Sequence, residues 1–258
     1  MEALQQKMPF YSIVFASTRY WPNATEMQQA IFEITRALTN DLQKHDPGIA
    51  IKNITISSED ELEEFLRLKP EGFGLLMPLR GAVQPWMLKA AENFEGIGML
   101  AAYEPGCLEE KTAYRLLEAN AAPAVADVYS VIKRKGKPII LSNELGEIVL
   151  LFKAVQATMR MRNSSLLIVG NTEDWVISSC RSFDRIREKT GIGCKKIQLH
   201  ELYEQYESVS DEDARAIYEK WLKNSQKIVE PENRDVLAAS RLAVAIQQLV
   251  RKNNADGI

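Results

Sequence analysis

The feature that most constrains this chain is a regular alternation of short, apolar, β-rich runs with longer segments that have helical spacing. The first run is FYSIVFAS, at about residues 10–17, and the next is AIKNITIS. Between them, one helical face is formed by Met27, Ile31, Ile34, Leu38 and Leu42. Strands alternating with helices are typical of parallel α/β folds, so we predict an α/β protein with mostly parallel sheets.

The alternation continues to the end of the chain. Further strand-like runs are GFGLLMPL, GIGMLAAY, KPIILSN, SSLLIVG and CKKIQLH. At 258 residues the chain is long for one domain and comfortable for two. We therefore predict two Rossmann-like three-layer domains, with residues 1–105 forming the first and residues 106–258 the second.

Several helix boundaries can be predicted from capping residues. Asn23 with Glu26, Ser58 with the acidic run that follows it, and Ser210 with Asp213 have the spacing of helix N-caps. The apolar face of the last helix is predicted to be Ala239, Leu242, Ala243, Ile246 and Leu249.

The last residues have the pattern of a helix stop followed by a strand. Residues 253–257, with the sequence NNADG, predict a turn, and Ile258 would begin the next strand. We therefore expect the sequence to be a portion of a longer protein.

Composition and charge argue against several classes of partner. Lys and Arg number 32 against 35 Asp and Glu, a net charge of −3, which argues against a general nucleic-acid surface. The sequence has neither a signal peptide nor an apolar stretch of membrane-spanning length, so we predict a cytoplasmic protein without a membrane partner. Cys107, Cys180 and Cys194 are far apart and odd in number, which indicates a reducing compartment.

The candidate site lies where the strands of the first domain end, because ligands of open α/β sheets bind outside the carboxyl ends of the strands. The residues there are Arg19, Tyr20, Trp21, Arg80, Gln84 and Trp86. Guanidinium and amide groups bond hydroxyls and oxyanions directionally, while indole faces pack on sugar C–H surfaces. This set predicts a site for a polyhydroxylated or anionic small molecule. The alternative is a solvated rim in which Trp21 and Trp86 pack locally or at a subunit contact.

Other polar clusters have structural explanations. Gly170-Asn171-Thr172 lies between a strand and a helix and could hold an anion, but a plain helix cap explains it as well. The acidic clusters at residues 59–64, 109–110 and 211–213 suit helix first turns or exposed faces. His45 and His200 are not accompanied by residues at metal-ligand spacing, so neither a metal site nor a catalytic site is predicted in this chain.

The order and spacing of six segments carry a resemblance that extends over nearly the whole chain. They are FASTRYWP, GFGLLMPLRG, AAYEP, NAAPAVADVYSVIKRKGKPIILSN, SSLLIVGNTEDWV and GCKKIQLHELYE. In this order they resemble the L-fucose/L-arabinose isomerase superfamily, and more closely its L-fucose isomerase-like proteins. The resemblance implies two N-terminal Rossmann-like domains followed by a C-terminal catalytic domain.

Members of that superfamily interconvert aldoses and ketoses with a divalent metal, usually manganese. Their metal ligands fall beyond the position of Ile258, so the resemblance implies no cofactor and no turnover in this chain alone. It also implies a ring-like homo-oligomer in which the first domain caps a neighbouring subunit's active site. Arg19 and Trp86 would then contact the sugar, supported by Tyr20 and Gln84.

Three functions follow as hypotheses. The first is the N-terminal portion of a sugar isomerase-like protein, supplying scaffold, oligomer contacts and part of a carbohydrate pocket. The second is a stand-alone sugar-binding or regulatory module with its ligand between two sheets. The third is a purely structural assembly subunit.

Overall fold

The computed structural model describes residues 8–17, 24–79, 81–100, 122–171 and 182–258. Strands and helices alternate through these ranges, which confirms the predicted α/β class. The chain divides into two compact units, Met1–Ala157 and Thr158–Ile258.

The first unit is built on a five-stranded parallel sheet with the order β2-β1-β3-β4-β5. Its strands are β1 (Phe10–Phe15), β2 (Ile51–Ile56), β3 (Phe73–Pro78), β4 (Gly96–Met99) and β5 (Ile139–Leu141). Its helices are α1 (Ala24–His45), α2 (Glu59–Arg67), α3 (Gln84–Ala91), α4 (Ala122–Arg134) and α5 (Leu145–Arg162), the last of which contains the boundary between the units. A short 3-10 turn, Gly81–Val83, precedes α3.

The boundary between the units lies later in the chain than the predicted one at residue 105. The strand β5 pairs in parallel with β4, from Ile97↔Ile139 to Met99↔Leu141, so it extends the first sheet. The helix α4 packs on the same sheet, because Val125 and Val128 belong to its apolar cluster. The KPIILSN run, which forms β5, was predicted to lie in the second domain. The order of strands along the chain does not determine which strands are neighbours in a sheet.

The sheet is covered on both faces, which gives the three layers that the alternation predicts. On one face α2, α3 and α4 contribute buried apolar side chains to a single cluster. On the other face the ring of Phe152 in α5 lies 5.3 Å from that of Phe10 and 5.6 Å from that of Phe73. The α1 face is also confirmed where it is described: its buried residues are Ile31, Ile34, Leu38 and Leu42. The side chain of Met27 and the proposed cap Asn23 lie outside the described residues.

Two glycines let α5 approach the sheet closely. A Cβ atom added at Gly96 would lie 2.5 Å from Cγ2 of Val155, and one added at Gly98 would lie 2.9 Å from Cγ2 of Ile148. Such distances are far below normal van der Waals contact, so a larger residue would displace the helix. Both glycines lie inside β4, so they serve helix–sheet packing.

The second unit contains a parallel strand pair and four described helices. The strands are β6 (Ser165–Val169) and β7 (Gly193–Ile197). The helices are α6 (Phe183–Thr190), α7 (Leu199–Ser208), α8 (Asp211–Asn224) and α9 (Asn233–Lys252). Leu167, Ile197 and Leu249 form one buried cluster there.

The predicted turn after the last helix is confirmed. The helix α9 ends at Lys252, and Asn254 takes a left-handed conformation with φ of 48°. Gly257 then forms a parallel bridge with Leu166, on the side of β6 opposite to β7. Strand pairing therefore begins at Gly257, one residue before the predicted position.

The predicted apolar face of α9 is wrong at Ala239 and Leu242, which are exposed, whereas Ala243 and Ile246 are half-buried and Leu249 is buried. The buried residues are Ser240, Val244, Ala245 and Leu249, whereas Leu242 is 40% exposed. Ser240 Oγ donates to the carbonyl of Val236 one turn earlier, and Arg241 Nη1 donates to the carbonyl of Val209 at 2.9 Å. Apolar periodicity does not include a buried serine, so the predicted face is displaced from the buried one.

The sequence predicts no membrane-spanning segment. Each helix in the described part of the chain is too short or too polar to cross a bilayer.

We expect Gly96→Ala to lower the free energy of unfolding by about 1–3 kcal/mol, because the new methyl group overlaps Val155. Urea denaturation followed by circular dichroism measures the change. The added Val155→Ala substitution should recover part of the loss, since it removes the overlapping Cγ2 atom. Gly193→Ala is a matched control, because its Cβ would meet nothing closer than 3.7 Å. An equal effect of the two glycine substitutions would contradict the steric explanation.

Candidate functional site

The candidate site lies where the connections from the sheet diverge. The chain leaves β1 toward β2 on one side and leaves β3 toward β4 on the other, and open α/β sheets bind ligands outside the carboxyl ends of two such strands. These ends are adjacent and in register, with Phe15 paired to Pro78. The N–H of Leu79 extends the ladder by donating to the carbonyl of Phe15 at 2.9 Å. We call this position the switch-point crevice.

The predicted site residues belong to the segments that follow these two strands. Arg19, Tyr20 and Trp21 come after β1, and Arg80 comes after β3; all four lie outside the described residues. The two strands end side by side at one edge of the sheet, and the positions of these four side chains stay a prediction.

Gln84 and Trp86 are described, and both lie in the first turn of α3. Gln84 is half-buried and begins the helix. Trp86 is also half-buried, and its indole packs against the apolar cluster beneath α2, α3 and α4. This contact is the local packing that the sequence offered as an alternative for Trp86. The indole therefore has a structural role whether or not it contacts a ligand.

The start of α3 is determined by its sequence. Pro85 occupies the first turn, where its fixed φ suits a helix and its missing N–H costs nothing. Val83 precedes the helix and makes no side-chain cap. The turn Gly81–Val83 leads directly into α3, so the helix begins at the carboxyl edge of the sheet.

The other end of α3 is held by Lys137, which lies just before β5. Its Nζ donates to the carbonyls of Ala91, Glu92 and Phe94 at 2.9, 2.7 and 3.0 Å. An ammonium group at a helix C-terminus satisfies carbonyls that lack helical partners and complements the helix dipole. Burial lowers the pKa of Lys137, while the carboxylates of Glu95 and Glu92 act in the opposite direction. Sequence analysis missed this residue, because its role depends on the pairing of β4 with β5.

The corresponding edge of the second unit has a different arrangement. Gly170 follows β6 with φ of 75°, and Asn171 Oδ1 accepts a hydrogen bond from Nζ of Lys196 at 2.6 Å. The side chain of Asn171 is thus bonded to a neighbouring strand. Thr172, the other candidate cap, lies outside the described residues.

The acidic clusters are structural where they are described. The Ser58 hydroxyl accepts from the Glu61 N–H at 3.2 Å, and the Ser210 hydroxyl accepts from the Asp213 N–H at 3.1 Å. Both predicted caps are therefore confirmed, while Glu109 and Glu110 lie outside the described residues. Within the described ranges, no three His, Cys, Asp or Glu side chains are grouped so that they could hold a metal ion.

Comparison with known proteins does not identify the chain. It matches no protein-family model, and no curated protein shows significant similarity to it. The resemblance to L-fucose isomerase-like proteins therefore stays a prediction.

We expect Lys137→Met to lower the free energy of unfolding by about 1–3 kcal/mol, because three carbonyls lose a charged donor. Hydrogen exchange should also speed up in the last turn of α3. Lys135→Met is the matched control: Lys135 pairs with Glu92 at 3.1 Å on the surface, and exposed pairs contribute less than about 1 kcal/mol. Equal effects at the two positions would show that the carbonyl bonds of Lys137 do not stabilise α3.

Proposed function

We propose that this chain contributes part of a carbohydrate pocket in a sugar isomerase-like protein, with the sugar bound at the switch-point crevice. The observation that supports the proposal is the in-register pairing of β1 with β3, which ends both strands at one edge of the sheet. Those segments contain two arginines, a glutamine and three aromatic residues with the chemistry for binding hydroxyl groups.

The roles of the residues follow from their chemistry. Arg19 and Arg80 donate directional hydrogen bonds to sugar hydroxyls, and Gln84 adds an amide that both donates and accepts. Trp21 and Trp86 pack on the C–H face of the ring, and Tyr20 supports them. Trp86 would present the edge that does not pack on the apolar cluster.

The chain is proposed to act as a scaffold within a homo-oligomer, in line with its resemblance to L-fucose isomerase-like proteins. Intact members of that superfamily use a divalent metal, usually manganese. The resemblance puts the ligands of that metal in a separate domain, so we assign no catalytic step to this chain. A stand-alone sugar-binding module is the alternative, and it would use the same crevice without any isomerase.

A tryptophan-fluorescence titration tests the crevice. Trp175→Phe and Trp221→Phe leave Trp21 and Trp86 as reporters. We expect a saturable change with at least one aldose from a panel that includes L-fucose and L-arabinose. Arg19→Gln with Arg80→Gln should weaken that binding about tenfold or more, because hydrogen bonds from charged donors are lost. Arg134→Gln, at the far end of α4, should leave it unchanged. The absence of a response to every sugar would contradict the proposal.

A second experiment concerns turnover. We expect the purified chain to form no ketose from these aldoses when manganese is added, because the proposed metal ligands lie in a separate domain. Ketose formation that requires added manganese, and that survives repurification of the chain, would show that the catalytic set lies within these residues.

A further inference from the structure

A groove runs between α1 and β2 on the first unit. Its volume is about 650 Å³. Its lining joins polar residues, among them Gln28, Thr35, Arg36, Thr39, Asn53 and Thr55, to the apolar Ile31 and Phe32, and most of the surface that it offers is apolar. We call it the edge groove, because β2 is the outermost strand of the sheet.

The edge groove exposes unpaired backbone. Among the described residues β2 pairs only with β1. The carbonyl of Ile56 points toward β1, since it accepts from the N–H of Ala16 at 2.9 Å. Backbone groups of successive strand residues point to opposite sides, so those of Asn53 and Thr55 point outward. Within the described ranges no hydrogen bond satisfies these outward N–H groups.

Two exposed side chains of α1 flank this edge. Phe32 is 61% exposed, so its ring offers an apolar surface beside the groove. Arg36 is exposed one helical turn further along, and in the described part of the chain it faces no carboxylate at ion-pair distance. The carboxylate of Glu61 also lines the groove, but it is held beyond the end of β2, where it accepts from the N–H and hydroxyl of Ser57 at 2.6 and 2.7 Å, and it makes no ion pair with Arg36 among the described residues.

We propose that the edge groove binds an extended acidic peptide segment, which adds to the sheet as a strand beside β2. An apolar side chain of the peptide packs on Phe32, and a carboxylate two residues away pairs with Arg36. The spacing fits, because one helical turn rises about 5.4 Å and alternate strand residues lie about 6.7 Å apart on the same face. Strand addition at a free sheet edge combines main-chain hydrogen bonds with alternate side-chain contacts.

The length of the groove also matches a strand. The lining residues of α1 run from Gln28 to Asn40, a span of about 18 Å at 1.5 Å per residue. An extended segment of about five or six residues covers the same distance. A carbohydrate could bond the amides and hydroxyls of the lining, but it would not reproduce the two-residue repeat of the outward N–H groups.

The probe is a fluorescein-labelled heptapeptide with valine, glutamate and valine at alternate positions and threonine elsewhere. Fluorescence anisotropy with the full chain measures its binding. We expect saturable binding at micromolar to millimolar concentrations, and none by a second peptide in which proline replaces two threonines and removes backbone donors. Absence of binding by the first peptide at about 1 mM, in the range of a weak complex, would overturn the proposal.

Variants of the chain separate strand addition from other binding. Thr55→Pro removes an outward N–H while leaving the pairing of β2 with β1 intact, so it should abolish peptide binding without loss of the circular-dichroism signal. Arg36→Glu should weaken binding about fivefold or more, since attraction becomes repulsion. Arg134→Glu, on α4, is the charge-matched control and should change nothing.

Two outcomes would replace this proposal by another. Binding that survives Thr55→Pro would show that the peptide does not join the sheet. Displacement of the peptide by a soluble oligosaccharide, whose own binding depends on Arg36 but tolerates Thr55→Pro, would identify the edge groove as a carbohydrate site instead.

Discussion

The pairing of β1 with β3 organises the first unit, because these strands are separated in the chain by a complete helix–strand–helix excursion. Both are buried along nearly their whole length, so each must be apolar on both faces. Their pairing sets the position of β2 at one edge and leads to β4 and β5 on the other side. The position of the switch-point crevice follows from this strand order, because the chain leaves β1 and β3 in opposite directions.

Local patterns in the sequence were sufficient for the elements of the fold. The buried face of α1 and the caps at Ser58 and Ser210 depend on neighbours within a few turns, so spacing alone predicts them. The predicted face of α9 is wrong at Ala239 and Leu242, because the buried face includes Ser240, whose hydrogen bond to the carbonyl of Val236 an apolar pattern does not reveal. The observed boundary between the units differs from the predicted one for a related reason. The strand β5 joins the first sheet by pairing with β4, about forty residues earlier in the chain.

The candidate site divides in the same way. Its residue types and their positions after strands could be predicted, because carboxyl ends of parallel strands meet at one edge. The adjacency of β1 and β3, the packing of Trp86 on the core and the carbonyl bonds of Lys137 all depend on tertiary structure. The edge groove was missed as well, because a polar face on α1 looks the same in sequence whether it faces bulk solvent or an unpaired strand.

The bonds from Lys137 to the end of α3 have a consequence for how a ligand would be received. Sliding this helix along its axis would break contacts with three carbonyls at once, so the helix is anchored to the first residues of β5. A ligand at the N-terminus of α3 would then be accommodated by side-chain rotation, because translation of the helix backbone is opposed. Binding there should cost little conformational entropy and should change the backbone little from one ligand to another.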